Sequence, residues 1–247
     1  DVTEEYILWN EPNLPLWLQP QARCKGKRCT PVSPHTYRYM VRAAYQQIKA
    51  VDPTSKVLIG ALARAGGQLK SKNANMKPLK WLRAYGCLDD RLRAVKTGPC
   101  RDFEPAPADG FAYHPHSTKH PPHEDYPNPD DAALAGLRNV QFTLDWLQSA
   151  GRIQGTTKPL GLWLDEYAYQ TNPPDKLRGV TPGRQDRYLQ EAAYLAWANP
   201  RVQLIAQYLW QDEKVGGGKR YTGWQSGLLD AKGEPKQALA HFDDPMW

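Results

Sequence analysis

The sequence predicts an α/β protein with a parallel sheet, and three observations carry that expectation. Short apolar runs alternate with segments of helical periodicity five times along the chain. The runs are of the type that parallel sheets bury on both faces. Two of them end on a glutamate, at Glu11 and Glu166, the end at which parallel α/β folds place their chemistry. With 247 residues and no segment that reads as a linker, one domain is expected; single α/β barrels reach this length.

The first strand is read at Tyr6-Ile7-Leu8-Trp9, a buried run followed at once by Asn10-Glu11-Pro12-Asn13. Pro12 ends it because proline has no amide hydrogen to donate. A loop rich in Pro, Lys and Arg runs to about Val32. Ser33 is expected to cap a helix with Pro34 at its first position. Tyr37, Met40, Ala44, Ile48 and Val51 form the apolar stripe of that helix, and Asp52-Pro53 stops it. The second strand is Lys56 to Leu62, followed by a short helix from Pro78 to Tyr85. Asp109 to His114 reads as the third strand and leads into a His/Pro-rich stretch from Pro115 to Pro129. A helix is expected from Asp131 to Ala150, with Leu134, Leu137, Val140, Leu144 and Leu147 on one face. The fourth strand is Leu160 to Asp165. Thr181-Pro182 opens a helix that turns Tyr188, Ala192 and Leu195 inward and closes before Pro200. The fifth strand, Val202 to Leu209, runs into Trp210; a Gly216–Gly218 loop and a helix near Lys236 to Phe242 follow.

Composition narrows the function classes. The chain is 40% hydrophobic and 23% charged, which suits a globular protein, and no apolar run is long enough for a membrane span. Its net charge of +6 comes from scattered side chains, read as a solvated basic surface rather than a nucleic-acid footprint. The four cysteines leave three pairings open. Cys24–Cys29 and Cys87–Cys100 are favoured because each would staple a local loop, and neither spacing suits zinc. Two disulfides point to an oxidising compartment, hence secretion.

Two carboxylates at the ends of separate parallel strands are what glycoside hydrolysis asks for. One is protonated to release the leaving oxygen; the other is ionised to attack the anomeric carbon or activate water. Their surroundings must push the two pKa values apart, and Trp9, Pro12, Trp163 and Tyr167 could supply the apolar part. Asp165 rivals Glu166 but faces the opposite way if the strand continues. Of His114, His116, His120 and His123, only His114-x-His116 is closely spaced among rigid prolines, and no metal is called for. No cofactor is called for either. Gly216-Gly217-Gly218-Lys219 lacks the spacing and the hydroxyl residue of a phosphate loop. His114 is read as a site residue or a satisfied core histidine, and Trp224 as a sugar platform or core.

Trp-Asn-Glu-Pro-Asn at 9–13 resembles the strand-four motif of the retaining glycosidase clan with a (β/α)8 barrel, nearest in look to glycoside hydrolase family 39 and its neighbours. The resemblance implies Glu11 as acid/base, Asn10 as the holder of the sugar 2-hydroxyl, and Glu166, on the third strand onward, as the strand-seven nucleophile. Asp-Gly-Phe-Ala-Tyr-His at 109–114 resembles the strand-six segment whose terminal histidine lies beside the nucleophile, which implies that place for His114, with Tyr113 and His114 expected at the substrate. Gly60-Ala61 resembles the end of strand five. Trp210 resembles the strand-eight tryptophan that floors the sugar subsite. Gly227-Leu228-Leu229-Asp230 through Lys236 resembles the clan's closing turn.

The implied fold is therefore of TIM-barrel type, residues 1–247 supplying strands 4 to 8 and their helices as the carboxyl-terminal part of one barrel domain. The implied function is a secreted retaining glycoside hydrolase acting on a poly- or oligosaccharide. Such a barrel has three strand-helix units ahead of the Asn-Glu strand, where five residues stand here. An amino-terminal barrel fragment, separate or cleaved, is accordingly expected as partner. A non-catalytic carbohydrate-binding descendant of the same barrel is the alternative, and both glutamates with Asn10 speak against it. A nucleic-acid binder would rest on charge alone.

Overall fold

The computed structural model describes residues 4–215 and 223–242. The expected Gly216–Gly218 loop lies outside the described residues. The chain divides into two compact units. The first runs up to His114 and includes Tyr126–Ala132 and Gly136–Trp163; the second comprises Pro115–Asp125, Ala133–Ala135 and the chain from Leu164 onward.

The first unit begins with β1 (Glu5–Ile7), a hairpin of β2 (Ala22–Lys25) and β3 (Arg28–Pro31), and α1 (Ser33–Val51). It continues with β4 (Lys56–Ala63), α2 (Pro78–Tyr85), β5 (Ala106–Pro107), β6 (Gly110–His114), α3 (Leu137–Ser149), β7 (Ile153–Gln154) and the first half of β8 (Gly161–Tyr167). Its centre is β4, buried from Val57 through Ala63. β4 pairs in parallel with β1 on one side and β6 on the other, and β6 pairs in parallel with β8. Leu58, Ala61, Ala112 and Trp163 pack together in the core, each large apolar side chain stabilising by about 1.5–3 kcal/mol. The β4–β6 register shifts between Gly60 and Leu62. Gly60 has φ 104°, and a Cβ there would stand 2.6 Å from Ala112 O and from the Phe111 ring, so the bulge requires glycine.

Several expectations change in detail. β1 is three residues long and mostly exposed rather than buried through Trp9. Trp9 takes φ 68°, which ends the extended run before the proline is reached. The Ser33 side chain caps nothing: its hydroxyl donates to Gln21 Oε1 at 2.9 Å and accepts from Trp81 Nε1 at 2.9 Å, fully buried. In α1, burial ends at Val41, and Val51 is exposed. The helix expected from Asp131 starts at Leu137, with a 3₁₀ turn at Leu134–Gly136 ahead of it. The β2–β3 hairpin stands where a loop was expected. Both disulfides have the local pairing, Cys24–Cys29 and Cys87–Cys100.

In the second unit, β8 ends at Tyr167, Thr181 caps α4 (Pro182–Trp197) by accepting from the Arg184 amide, and β9 (Val202–Gln207) and α5 (Leu239–Phe242) follow. The hydrogen-bonded order of the main sheet is β1-β4-β6-β8-β9. The buried face of α4 is Gln185, Asp186, Leu189, Ala192 and Ala196; of the expected inward residues only Ala192 is fully buried. The architecture is thus α/β on a sheet with parallel pairing, strand and helix alternating as expected. Among the described residues no helix is long and apolar enough to cross a membrane.

His35 lies buried in α1, where Arg38 Nη1 donates to its Nδ1 at 3.1 Å and also to Tyr85 O at 2.6 Å. Burial, with the Arg38 charge second, lowers its pKa to about 4. A depressed value means that this contribution to stability is complete above pH 6.5 and is lost as pH falls toward 4. Urea unfolding between pH 7 and 4.5 is expected to show a loss on the order of 3 kcal/mol that His35→Gln abolishes. An equal pH dependence in both proteins would refute this.

Candidate functional site

The segment after β1 is held by its own backbone and by Asn13. Glu11 N–H donates to Ala61 O at 2.9 Å, and Glu11 adopts φ 39°. Non-glycine residues pay on the order of 1–3 kcal/mol for such conformations, which persist where the surroundings over-determine them. Asn13 does that here. Fully buried, it donates to Ala63 O and Met76 O at 2.8 and 2.9 Å and accepts from Ala63 N–H at 2.9 Å.

The Glu11 carboxylate is thereby aimed at two donors. Its Oε1 lies 3.1 Å from His114 Nδ1, and Trp17 Nε1–H donates to Oε2 at 3.0 Å. His114 is wholly buried while Glu11 keeps a little exposure. An ionised Glu11 accepts from Nδ1–H; a protonated one can donate to the bare Nδ1 of the other tautomer, so this pair suits a group that changes charge. Trp17 is held in turn, its carbonyl accepting from Trp9 Nε1 at 3.0 Å. Asn10 is half-buried in the same bend.

In the second unit, Glu166 sits one residue before the end of β8, with His116 Nε2 at 3.9 Å from its Oε2. The His116 ring lies nearly parallel to Tyr167 (10°, 6.3 Å) and to Trp224 (26°, 6.5 Å) and edge-on to Tyr208. Tyr208 meets Trp224 edge to face at 5.6 Å. Strand alternation sends Tyr167 to the face opposite Glu166. Its hydroxyl joins Ser117 and Tyr169 at 3.1 Å each, and Tyr169 donates to His120 O at 2.7 Å. That chain ties the 115–120 loop to β8 and so holds His116 against Glu166. Trp210 is 61% exposed, open enough to serve as an aromatic face.

No protein-family model matches the chain, and no curated protein matches it. Solved structures do. A family 39 glycoside hydrolase from the gut symbiont Bacteroides cellulosilyticus WH2 is 17% identical, with a TM-score of 0.57 over 95% of this chain and 39% of its own. The fold resembles that of family 39 glycoside hydrolases. The family 39 enzyme from Xanthomonas axonopodis pv. citri is 18% identical with a TM-score of 0.53, over 96% of this chain and 39% of that one. A family 39 β-xylosidase from Caulobacter crescentus is 16% identical with a TM-score of 0.51, over 96% and 40%. The chain spans about two fifths of the length of these structures.

The structure brings Glu11, next to Asn10 in the chain, to His114 in the first unit, and in the second it brings His116 to both Glu166 and the Trp224 ring. Tyr113 is a correction: it is fully buried, its hydroxyl donates to Ala132 O at 2.6 Å, and alternation turns it away from His114. Sequence reading missed Trp17, Tyr208 and the approach of His116 to Glu166. The His114-x-His116 spacing was the one available signal, and it was weighed only as a metal site and set aside. A cavity of about 130 Å³ in the second unit is lined mainly by apolar side chains such as Leu189, Ile205 and Phe242, with Asp186, Gln190 and His241 among its polar ones. Glu166 does not line it.

The closing motif has a physical account. Gly227 passes so close to the 211–212 backbone that a Cβ would stand 2.5 Å from Asp212 N. The Gly227 amide donates to Asp212 Oδ1 at 2.7 Å. Lys236 Nζ donates to Asp212, to Thr171 Oγ1 and to Gln225 O, at 2.7–3.0 Å. Burial pushes the Asp212 carboxyl up and the Lys236 amine down, and their mutual hydrogen bond opposes both. The pair thereby fixes the segments that carry Trp210 and Trp224. Lys236→Met strands a buried carboxylate and is expected to cost about 3–5 kcal/mol in urea unfolding, with Asp212→Leu in addition recovering part of it. Additive losses in the double variant would count against a coupled pair.

Proposed function

We propose that the chain is part of a secreted retaining glycoside hydrolase acting on a poly- or oligosaccharide by double displacement. The observation that carries the reading is the Glu11 carboxylate, held between His114 Nδ1 and Trp17 Nε1–H in a left-handed turn at the end of a parallel strand. A carboxyl so placed can give up a proton and recover it without moving. Glu166 attacks the anomeric carbon while Glu11 protonates the departing oxygen; Glu11 then deprotonates the water that cleaves the glycosyl-enzyme. Asn10 binds the 2-hydroxyl, His114 positions Glu11, and Trp210 and Trp224 offer faces for the sugar ring. His116 orients Glu166. Secretion is supported by the two disulfides.

In this reading the five strands of the main sheet are strands 4 to 8 of a (β/α)8 barrel, residues 1–247 belonging to one glycosidase barrel domain. An amino-terminal barrel part, separate or cleaved, is its partner. What supports the partner is β1, where Ile7 stays exposed and β4 is the strand's sole pairing neighbour among the described residues.

Glu166→Ala in the complete barrel is expected to abolish turnover, falling by about 10⁴-fold or more. Added azide should restore a product of opposite anomeric configuration. Near-normal activity, or no rescue, removes Glu166 from the nucleophile's role. Glu11→Gln is expected to slow substrates with poor leaving groups by about 10²–10⁴-fold and activated aryl glycosides far less. A uniform loss across the leaving-group series would argue against Glu11 as the acid.

A further inference from the structure

From Pro12 to Leu88 the sequence carries a single acidic residue, Asp52, against fourteen lysines and arginines. Some of these cations are structural: Arg38 is buried, and Arg64, Lys77 and Arg83 reach Asp131 or Asp130. The β2–β3 hairpin is different. Arg23, Lys25, Lys27 and Arg28 crowd into its six residues from 23 to 28, and all four are exposed. Lys72 belongs to the strip beside them, since its carbonyl accepts from the amides of Gln21 and Ala22 at 2.8 and 3.3 Å; Lys70, two residues earlier, is also exposed. Among the described residues none of these six makes a salt bridge to a carboxylate.

The hairpin register makes the arrangement costly. Lys25 stands directly opposite Arg28, and Arg23 opposite Thr30, while Cys24 opposite Cys29 occupies the other face. Like charges directly across a strand pair are destabilising. The Cys24–Cys29 bond locks the neighbouring cross-strand pair and so keeps the three cations on one face in spite of their repulsion. Arg23, Lys25 and Arg28 on that face are all exposed.

The hairpin also has a fixed place relative to Glu11. Gln21, immediately before β2, is fully buried and donates from Nε2 to Pro12 O at 2.9 Å and to Leu18 O at 2.7 Å. Near the carboxylate Trp9, Leu16 and Trp17 are all exposed; Trp17 donates to Glu11 itself, and its carbonyl accepts from Trp9. The chain therefore presents a carboxylate, then aromatic faces, then a stapled row of cations, on one interlocked segment. Aromatic faces beside cations suit a sugar polymer carrying repeated negative charge: the rings stack on sugars, and the arginine forks match carboxylates.

We infer that the disulfide-stapled β2–β3 hairpin is a docking surface for an acidic polysaccharide bearing sugar carboxylates, which it holds on the Glu11 side of the first unit. The inference rests on the glycosidase reading only for preferring a polysaccharide to a nucleic acid. The test is affinity electrophoresis of the Glu166→Ala chain, which takes turnover out of the measurement, in polygalacturonate gels at two salt concentrations. Retardation is expected and should weaken with salt. The added triple substitution Lys25→Ser, Lys27→Ser and Arg28→Ser should weaken it about tenfold or more. Lys25→Arg with Lys27→Arg, which keeps the charge and the stapled hairpin, should retain it. Unchanged retardation of the triple variant overturns the inference. So does equal retardation in neutral xylan. Tighter binding to duplex DNA assigns the face to nucleic acid instead, and equal binding to dextran sulfate reduces it to a general polyanion surface. Binding that persists when Glu166→Ala proves dispensable for hydrolysis would sink the proposed chemistry and leave the docking surface standing.

Discussion

The first unit depends on a junction of backbone hydrogen bonds. β4 is buried along nearly its whole length, so every amide and carbonyl in it needs a partner. Beyond the bulge at Gly60–Leu62 its ladder no longer runs in register, and the Glu11 amide and the Asn13 carboxamide supply partners at Ala61 and Ala63. One buried carboxamide thus anchors the chain after β1, permits the left-handed φ at Glu11 and sets the carboxylate under His114. Tyr37 makes a similar bridge, donating to Leu8 O at 2.6 Å and accepting from Gly60 N–H at 2.9 Å. The position of Glu11 is thus an outcome of satisfied polar groups more than of side-chain packing.

The second unit solves the same problem with a charge. The segments after β9 are irregular, and irregular backbone must find its hydrogen bonds from side chains. Lys236 and Asp212 provide them, and Gly227 allows the two segments to approach within backbone contact. A buried ion pair is a costly way to hold a loop compared with apolar packing. What it offers is a directional tie, and Trp210 and Trp224 sit on the two strips it joins. Tyr167, Tyr169 and Ser117 do for the 115–120 loop what this pair does for the segments after β9.

Legibility in the sequence followed the range of the interaction. α2 was read to the residue, because Pro78 at its start and Gly86 after Tyr85 are local signals. The disulfide pairings were legible because a short loop leaves little choice. Glu11 and Glu166 were singled out because a carboxylate after an apolar run is a local pattern, and Asn10 only because the stretch around it resembles a known motif. Ser33 was misread because its cap signal is also local, while its partners, Gln21 and Trp81, are not. Tyr113 was placed at the site beside His114 although consecutive strand residues face opposite ways; both are fully buried, and the hydrogen-bond partners differ, Ala132 O for Tyr113 and Glu11 for His114. His116 lies past the end of β6, where no periodicity says what a side chain meets.

By itself, then, the sequence determined the alternation of strands and helices and the stapled loops, and it placed two carboxylates after apolar runs, because propensity, periodicity and loop closure act over a few residues. Only the tertiary structure decided what each carboxylate touches. Trp17 and His114 reach Glu11 across 6 and 103 residues of chain, and His116 meets Glu166 through a loop held by three hydroxyl groups. Those contacts follow from burial and hydrogen-bond satisfaction summed over the whole unit, which no local pattern encodes.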